Sequence, residues 1–274
     1  MASDLHIHTS FSDGKFLPEE IVEKSKQLGL KYIGITDHDT IDGIADLYDK
    51  GFYPATGINI IPGIEMSADS EKHEIHILGY NIDIFNEELR ENLIEVSEAR
   101  WTRFSEIIEK LNNEGYDITE TEVLTLAGAS RSISRSHVAR VLVKKGIFKT
   151  VREAFNTLLE RGKPCYVPHF RLSVKKIIEL IHSAGGIVVL AHPKLIYDDD
   201  LVQELLDLGM DGIEAYYPEH NDIDTARYIN YAKKRNLIIS GGSDYHGIGA
   251  RHNIELGEFE LDDKFAKQIF EMKK

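Results

Sequence analysis

The chain holds a single cysteine, Cys165, among 274 residues. One thiol excludes an internal disulfide framework and every zinc site built on paired cysteines. Basic residues are scarce as well: 32 Lys and Arg stand against 46 Asp and Glu, a formal charge of -14. An acidic exterior repels nucleic-acid and membrane phosphate, so a general basic-patch function is excluded. A phosphate ligand stays compatible with that balance, because bound divalent cations reverse the local field. No segment reaches the roughly 18 uninterrupted apolar residues of a spanning helix, and the first residues lack the basic, apolar, small-residue order of a secretory signal. The expectation is a cytoplasmic protein with no membrane partner. What is present is core material: 42% of the residues are hydrophobic, enough for a single α/β barrel, which typically needs about 250 residues.

Short runs rich in Ile and Val recur, each ending in polar, reactive residues: DLHIHT, YIGITDHD, INIIPGIEM, HEIHILGY, GIVVLAHP, DGIEAYYP and LIISGGSDYHG. Their nearly continuous apolar character predicts strands covered on both faces. Helical patterns lie between several of them. PEEIVEKSKQLGL opens on Pro18 and carries Ile21, Ser25 and Leu28 along one stripe. SVKKIIELIHSAGG starts on Ser173 as a cap and stops at Gly185 and Gly186. DDDLVQELLDLGM and IDTARYINYAKKRN complete the set. Strands alternating with helices predict parallel βα units, and seven of them suit an α/β fold closed into a distorted (β/α)7 barrel. In such barrels the C-terminal strand ends meet at one face, where active sites are built. His8, Asp37, His38, Glu65, His76, His192, Glu214 and Asp244 fall at or just past such ends, so they are expected to converge.

The rhythm breaks between residues 99 and 165, where ARWTRFSEIIEKLNNEG, SRSHVARVLVKKG and TVREAFNTLLERG read as helices with no strand among them. The expected organisation is therefore 1–98 as the first part of the barrel, 99–165 as a helical insertion that caps the substrate, and 166–274 as the second part. The insertion is locally basic, with Arg131, Arg135, Arg140, Lys144 and Lys145 close together.

Six of the 12 histidines sit beside chemistry-bearing neighbours: His6, His8, His38, His76, His192 and His246. Imidazole is the commonest protein metal ligand, and carboxylates such as Asp13, Glu65 and Asp244 bridge or complete such sites. HxH or TDHD alone is a weak signal, since core and surface histidines are common; their combination at strand ends is strong. Taken in order from residue 4 to about 247, HIHTSFSDG, ITDHDT, GIEMSA, HILGY, AHP and GSDYHG resemble the polymerase and histidinol phosphatase (PHP) family of metal-dependent phosphoesterases. Within it they are most similar to the branch of 3′,5′-nucleoside bisphosphate phosphatases and a related 5′-to-3′ exoribonuclease, which carries an inserted helical domain. The resemblance implies three divalent cations, Mn2+ first, with Zn2+, Fe2+ or Mg2+ as alternatives. It assigns His6, His8, Glu65 and Asp244 to one ion, Glu65, His76 and His192 to a second, and Asp13, His38 and His246 to a third.

Clustered divalent ions lower the pKa of bound water and stabilise both oxygens of an in-line displacement, so the expected reaction is phosphoester hydrolysis by a metal-activated hydroxide, without a covalent nucleophile. Cys165 has no motif around it and reads as a packing residue. The segments ARWTR and SRSHVAR resemble the branch's substrate-binding segments. Arg100 and Arg103, one helical turn apart, with Arg135 and His137, are candidates for binding a second phosphate, to which guanidinium is matched; a solvated helix face is the plainer alternative. Asp37 and Asp39 flank His38 as orienting or turn residues. Glu214 and His220 are candidates for facing the substrate, His220 as a general acid. The expected substrate is a small nucleotide, plausibly the 3′-phosphate of a 3′,5′-bisphosphate, with short 5′-phosphorylated RNA as the alternative and histidinol phosphate behind it. No stable DNA partner is expected, and a helix-turn-helix regulator would leave the nine ligand candidates unexplained.

Overall fold

The Ile- and Val-rich runs become the strands of one mixed sheet. A computed structural model describes residues 2–68, 70, 73–128, 130, 132–168, 170–247, 254–259 and 261–272; Arg131 lies outside the described residues. The strands are β1 (Ala2–Ile7), β2 (Tyr32–Ile35), β3 (Asn59–Ala68), β4 (Ile75–Tyr80), β5 (Ile187–Leu190), β6 (Gly212–Tyr216), β7 (Ile238–Gly241) and β8 (Leu261–Asp262). They follow the order β7-β6-β5-β4-β3-β2-β1-β8. The helices are α1 (Pro18–Leu28), α2 (Asp42–Asp49), α3 (Glu87–Asn113), α4 (Glu120–Ala127), α5 (Arg135–Lys144), α6 (Val151–Ala154), α7 (Val174–Ser183), α8 (Asp199–Leu206), α9 (Asp222–Arg235) and α10 (Asp263–Glu271).

Seven strands match the seven apolar runs. The eighth, β8, is two residues long and pairs antiparallel with β1, too short to leave a periodic signal. Within the ring β4 runs antiparallel to both β3 and β5, while the other neighbours among β1–β7 are parallel. The ring nearly closes where β1 meets the chain beyond β7: Ile7 bridges to Tyr245, His8 N donates to Tyr245 O (2.9 Å), and Tyr245 N donates to His6 O (3.2 Å). Asp4 fastens the same seam by accepting from Ser243 N (2.9 Å) and Ser243 Oγ (2.5 Å). Gly242 is required there, since a Cβ would fall 2.4 Å from the Cβ of His6.

Two apolar layers hold this ring. Outward residues such as Ile33, Ile64, Ile77, Leu190 and Ile213 pack on Ile21, Leu47, Ile177 and Val202 of the surrounding helices. Inward residues Leu5, Ile61, Leu78, Tyr80 and Val189 pack with Ala266 and Ile269 of α10, which closes that end. A bulge between Asp4 and Ile7 resets the alternation of β1, as an extra unpaired residue does. Leu5 thereby joins the interior layer and Ile7 the outer one, and His6 and His8 stay on the side of the mouth.

Helix α3 crosses the boundary expected at residue 99. Its Leu89 and Leu93 belong to the barrel's outer core, whereas Phe104, Ile107 and Leu111 belong to a separate cluster that runs to Cys165 and Val167. One continuous helix thus serves both cores. Among the described residues, no helix is long and apolar enough to cross a membrane.

Candidate metal centre

The parallel strands deliver their C-terminal residues to one mouth. β1 brings His6 and the turn after it His8 and Asp13; the chain beyond β2 brings His38; β3 brings Glu65; the segments after β5 and β7 bring His192, then Asp244 and His246. His76 arrives differently from the sequence expectation. It is the second residue of β4, and because β4 is antiparallel its beginning, not its end, reaches the mouth. The nine residues do converge. Eight are buried, and the His38 side chain is 12% exposed.

Glu65 is the hub. Its Oε2 lies 3.2 Å from His6 Nε2, 3.1 Å from His8 Nε2 and 3.0 Å from His38 Nδ1; its Oε1 lies 2.9 Å from both His76 Nδ1 and His192 Nε2. Asp244 Oδ1 stands 3.1 Å from His8 Nε2 and 3.4 Å from His246 Nδ1. Asp13 Oδ1 stands 3.0 Å from His246 Nε2 and 4.0 Å from His38 Nε2. Three groups bring their donor atoms together closely enough to hold a cation: His6, His8, Glu65 and Asp244; His8, Asp13, His38 and His246; and His38, Glu65 and His76. His6 Nε2, His8 Nε2, His38 Nδ1, Asp13 Oδ1 and Glu65 Oε2 are buried without a hydrogen-bond partner. Buried polar atoms are normally satisfied, and leaving one unsatisfied is costly. Imidazole and carboxylate donors aimed at common points are what divalent cations take, so the residues fit metal ions.

The electrostatics point the same way. Burial alone would depress the His6 ring, but Glu214, Glu65 and Asp244 push it well above the usual imidazole range. His8 rises to about 9 against burial, through Asp244 and Glu65. Glu65 and Asp13 fall well below the carboxylate range despite burial, Glu65 through His38, His6 and His76, and Asp13 through His246 and His38. His38 drops to about 3 because burial outweighs its carboxylate neighbours.

Around the donors lies an orienting layer. Glu214, expected to face the substrate, sits instead behind His6: its Oε1 is 3.0 Å from His6 Nδ1 and its Oε2 accepts from His192 N at 2.7 Å. That bond puts the His6 proton on Nδ1 and aims the Nε2 lone pair into the cluster, as a carboxylate behind a metal-binding histidine does. Tyr217 OH donates to Asp244 Oδ2 (3.0 Å). Asp37 holds the turn that carries Asp13, accepting from Thr9 N (2.8 Å), Thr9 Oγ1 (2.7 Å) and Ser12 Oγ (2.5 Å). Asp39 accepts from Ser67 N (2.8 Å) and pairs with Arg100. His220 stands outside the cluster: Nδ1 meets Ala215 O at 2.9 Å and the ring packs on Tyr217 and Tyr228. Cys165 is buried among apolar residues of the helical part.

Beside the mouth four guanidinium groups gather. Arg100 and Arg103 are buried on α3, and Arg103 Nε donates to Val167 O (2.9 Å). Arg135 donates to Glu74 Oε1 (2.7 Å) and Leu159 O (3.1 Å). Arg171, which no sequence motif singles out, lies 3.8 Å from the same Glu74 carboxylate. It arrives because Leu172 bridges to Ala68 at the end of β3, a pairing between distant segments. Burial, then the charges of Arg135, Arg100 and Arg171, depress Arg103 to about 9. Among the described residues only Asp39 and Glu74 are paired with these four cations, and Arg100 Nε and Arg171 Nε are buried without hydrogen-bond partners. His137 is buried at the start of α5, where its Nδ1 accepts from Ser134 N (3.1 Å).

Comparison with known proteins places this geometry in company. A model described as the PHP domain matches residues 4–166. The chain is 34% identical over 249 residues to the 5′-3′ exoribonuclease Rnm of Salmonella typhimurium, covering 89% of this chain and 84% of that one. It is 31% identical to the 3′,5′-nucleoside bisphosphate phosphatase of Chromobacterium violaceum, covering 90% and 87%. It is 30% identical to the phosphoribosyl 1,2-cyclic phosphate 1,2-diphosphodiesterase of Eggerthella lenta, covering 90% and 95%. A solved structure of a candidate metal-dependent phosphoesterase from Bifidobacterium adolescentis superposes with a TM-score of 0.87 at 30% identity, covering 97% and 94%.

Proposed function

The chain belongs to the PHP domain family and is a metal-dependent phosphoesterase; from that premise we propose that its substrate is a nucleotide bearing two phosphates, of which the 3′-phosphate is removed from a nucleoside 3′,5′-bisphosphate. The observation that carries this is the arginine cluster. Four guanidiniums against two carboxylates leave a surplus of positive charge, with two buried Nε donors awaiting acceptors, next to the metal centre of an otherwise acidic chain. A phosphate dianion supplies the charge and the acceptors together. A monophosphate ester gives no reason for such a cluster.

In this reading His6, His8, Asp13, His38, Glu65, His76, His192, Asp244 and His246 hold three cations, Mn2+ first. When bound, the cations activate water and neutralise charge on the reacting phosphate. Arg100, Arg103, Arg135 and Arg171 grip the other phosphate and fix the distance to the scissile one. Glu74 yields its place on Arg135 and Arg171 when that phosphate enters. Glu214 and Tyr217 keep His6 and Asp244 in their ligating orientations. Water adds to phosphorus, the bond from phosphorus to the 3′ oxygen breaks, and that oxygen leaves with a proton. Residues 99–165 act as the cap, and a cytoplasmic location suits a nucleotide substrate.

The test is to incubate Mn2+-loaded protein separately with adenosine 3′,5′-bisphosphate, a 5′-phosphorylated RNA pentamer and a ribose 1,2-cyclic phosphate. Fast release of inorganic phosphate from the first, with the others nearly untouched, is the expected result. Stepwise mononucleotide release from the RNA as the dominant activity would replace it with the exoribonuclease reading.

A further inference from the structure

The turn that carries Asp13 is gripped from outside the barrel at two residues, Phe11 and Asp13. Ser130 Oγ donates to Phe11 O (3.1 Å) and the Arg140 guanidinium to Asp13 O. Arg140 lies on α5, whose first residue, Arg135, belongs to the arginine cluster. From the barrel side the same turn is tied by Asp37 to Thr9 and Ser12. The Asp13 carboxylate faces His246 and His38, so small rotations of its peptide move the carboxylate across the mouth.

We propose that Arg140 is a positioning residue for Asp13: by holding the Asp13 carbonyl it sets the carboxylate against His246 and His38, and so sets the affinity of the cation to which Asp13 contributes. This rests on the reading of Asp13 as a metal ligand. One rigid helix then carries both the grip on the second phosphate, through Arg135, and the support of one metal ligand, through Arg140. A guanidinium suits the task because it keeps its charge at all working pH values and its planar fork fixes the direction of the bond. Losing a group that orients a ligand typically costs 10- to 100-fold in metal affinity.

Arg140 lines a cleft of about 340 Å3 together with Lys15 and Leu126, so shortening it opens onto existing space and leaves no sealed cavity. The test is a chelator-buffered Mn2+ titration of wild type, Arg140→Ala and Arg140→Lys, with metal content read per chain and circular dichroism checking the fold. Arg140→Ala is expected to weaken one equivalent of metal by about 10-fold or more while the others titrate as in wild type, and Arg140→Lys to restore part of the loss. With adenosine 3′,5′-bisphosphate, kcat at limiting metal falls and KM changes less than about twofold, because Arg140 is not among the arginines that grip the second phosphate. Equal weakening of every equivalent, or of none, overturns the proposal, as does a rise in KM with unchanged metal binding. If wild type leaves the bisphosphate intact, the substrate reading falls, and the metal titration still decides the role of Arg140.

Discussion

Replacing Glu214 by Gln separates orientation from ligation at the metal centre. In the native chain its two oxygens serve two buried N–H groups, His6 Nδ1 at 3.0 Å and His192 N at 2.7 Å. A carboxamide has one acceptor oxygen, and its NH2 would face a second donor, so one bond is lost. A buried donor left unsatisfied costs about 1–3 kcal/mol. If the His6 bond is the one lost, the ring can shift its proton to Nε2, 3.2 Å from Glu65 Oε2, and then has no lone pair to offer a cation. The expected consequence is a 10- to 100-fold weaker affinity for the ion held by His6, or about 1.4–2.7 kcal/mol. The metal-free protein should melt close to wild type, because the substitution also removes a carboxylate that burial pushes above its ordinary range. Metal titration by calorimetry beside melting of the stripped protein reads both quantities. Unchanged metal affinity in a folded Glu214→Gln protein would refute the orienting role.

Three further outcomes follow from the same geometry. Asp13→Ala should bind less metal per chain than wild type, measured by elemental analysis after dialysis at fixed free Mn2+; unchanged content would remove Asp13 from the ligands. Arg135→Ala should raise KM for a bisphosphate by roughly 10-fold, the worth of about one charged hydrogen bond, and barely alter KM for a nitrophenyl phosphate; equal effects on both would separate Arg135 from the second phosphate. Asp4, fully buried at the seam, is pushed up from 3.8 to about 6 mainly by burial, against its bonds to Ser243 and His6. Its folded form holds the proton more tightly than the unfolded chain does, so its stability contribution falls as pH rises from about 4 to 6. Relative to Asn at this position the charge costs up to about 3 kcal/mol above pH 6. Asp4→Asn should therefore gain stability on the wild type between pH 4 and 7 in urea melts, and a difference independent of pH would sink the assignment.

The barrel was legible because its strands are apolar on both faces and most of the seven runs end in reactive side chains. Two features escaped that reading for physical reasons. The reversal of β4 changes no residue of HEIHILGY, because a strand buried on both faces reads alike in either direction; only pairing with β3 and β5 reveals it. The two-residue β8 is defined by its pairing with β1, not by any pattern of its own. In the candidate site, residues that share short motifs, such as His6 with His8 and Asp244 with His246, announce themselves. Arg171 does not, since its place depends on a bridge between Ala68 and Leu172. Glu214 was visible at a strand end, but whether a strand residue meets the ligand or stands behind another side chain depends on depth, which one sequence does not carry.

The seam between β1 and the segment beyond β7 has a further meaning during synthesis. His6 and His8 leave the ribosome long before Asp244 and His246, and a short bridge and the Asp4–Ser243 bonds join the two segments in the folded chain. An ion shared by His8 and Asp244 would span that join like a rivet through the first and last staves of a cask. Capture of that ion would be a late act of maturation, since its donors meet only when the ring has come round on itself. A chain starved of metal would loosen first along this line, exposing β1 to proteases while the helical part, with its own core, stays intact.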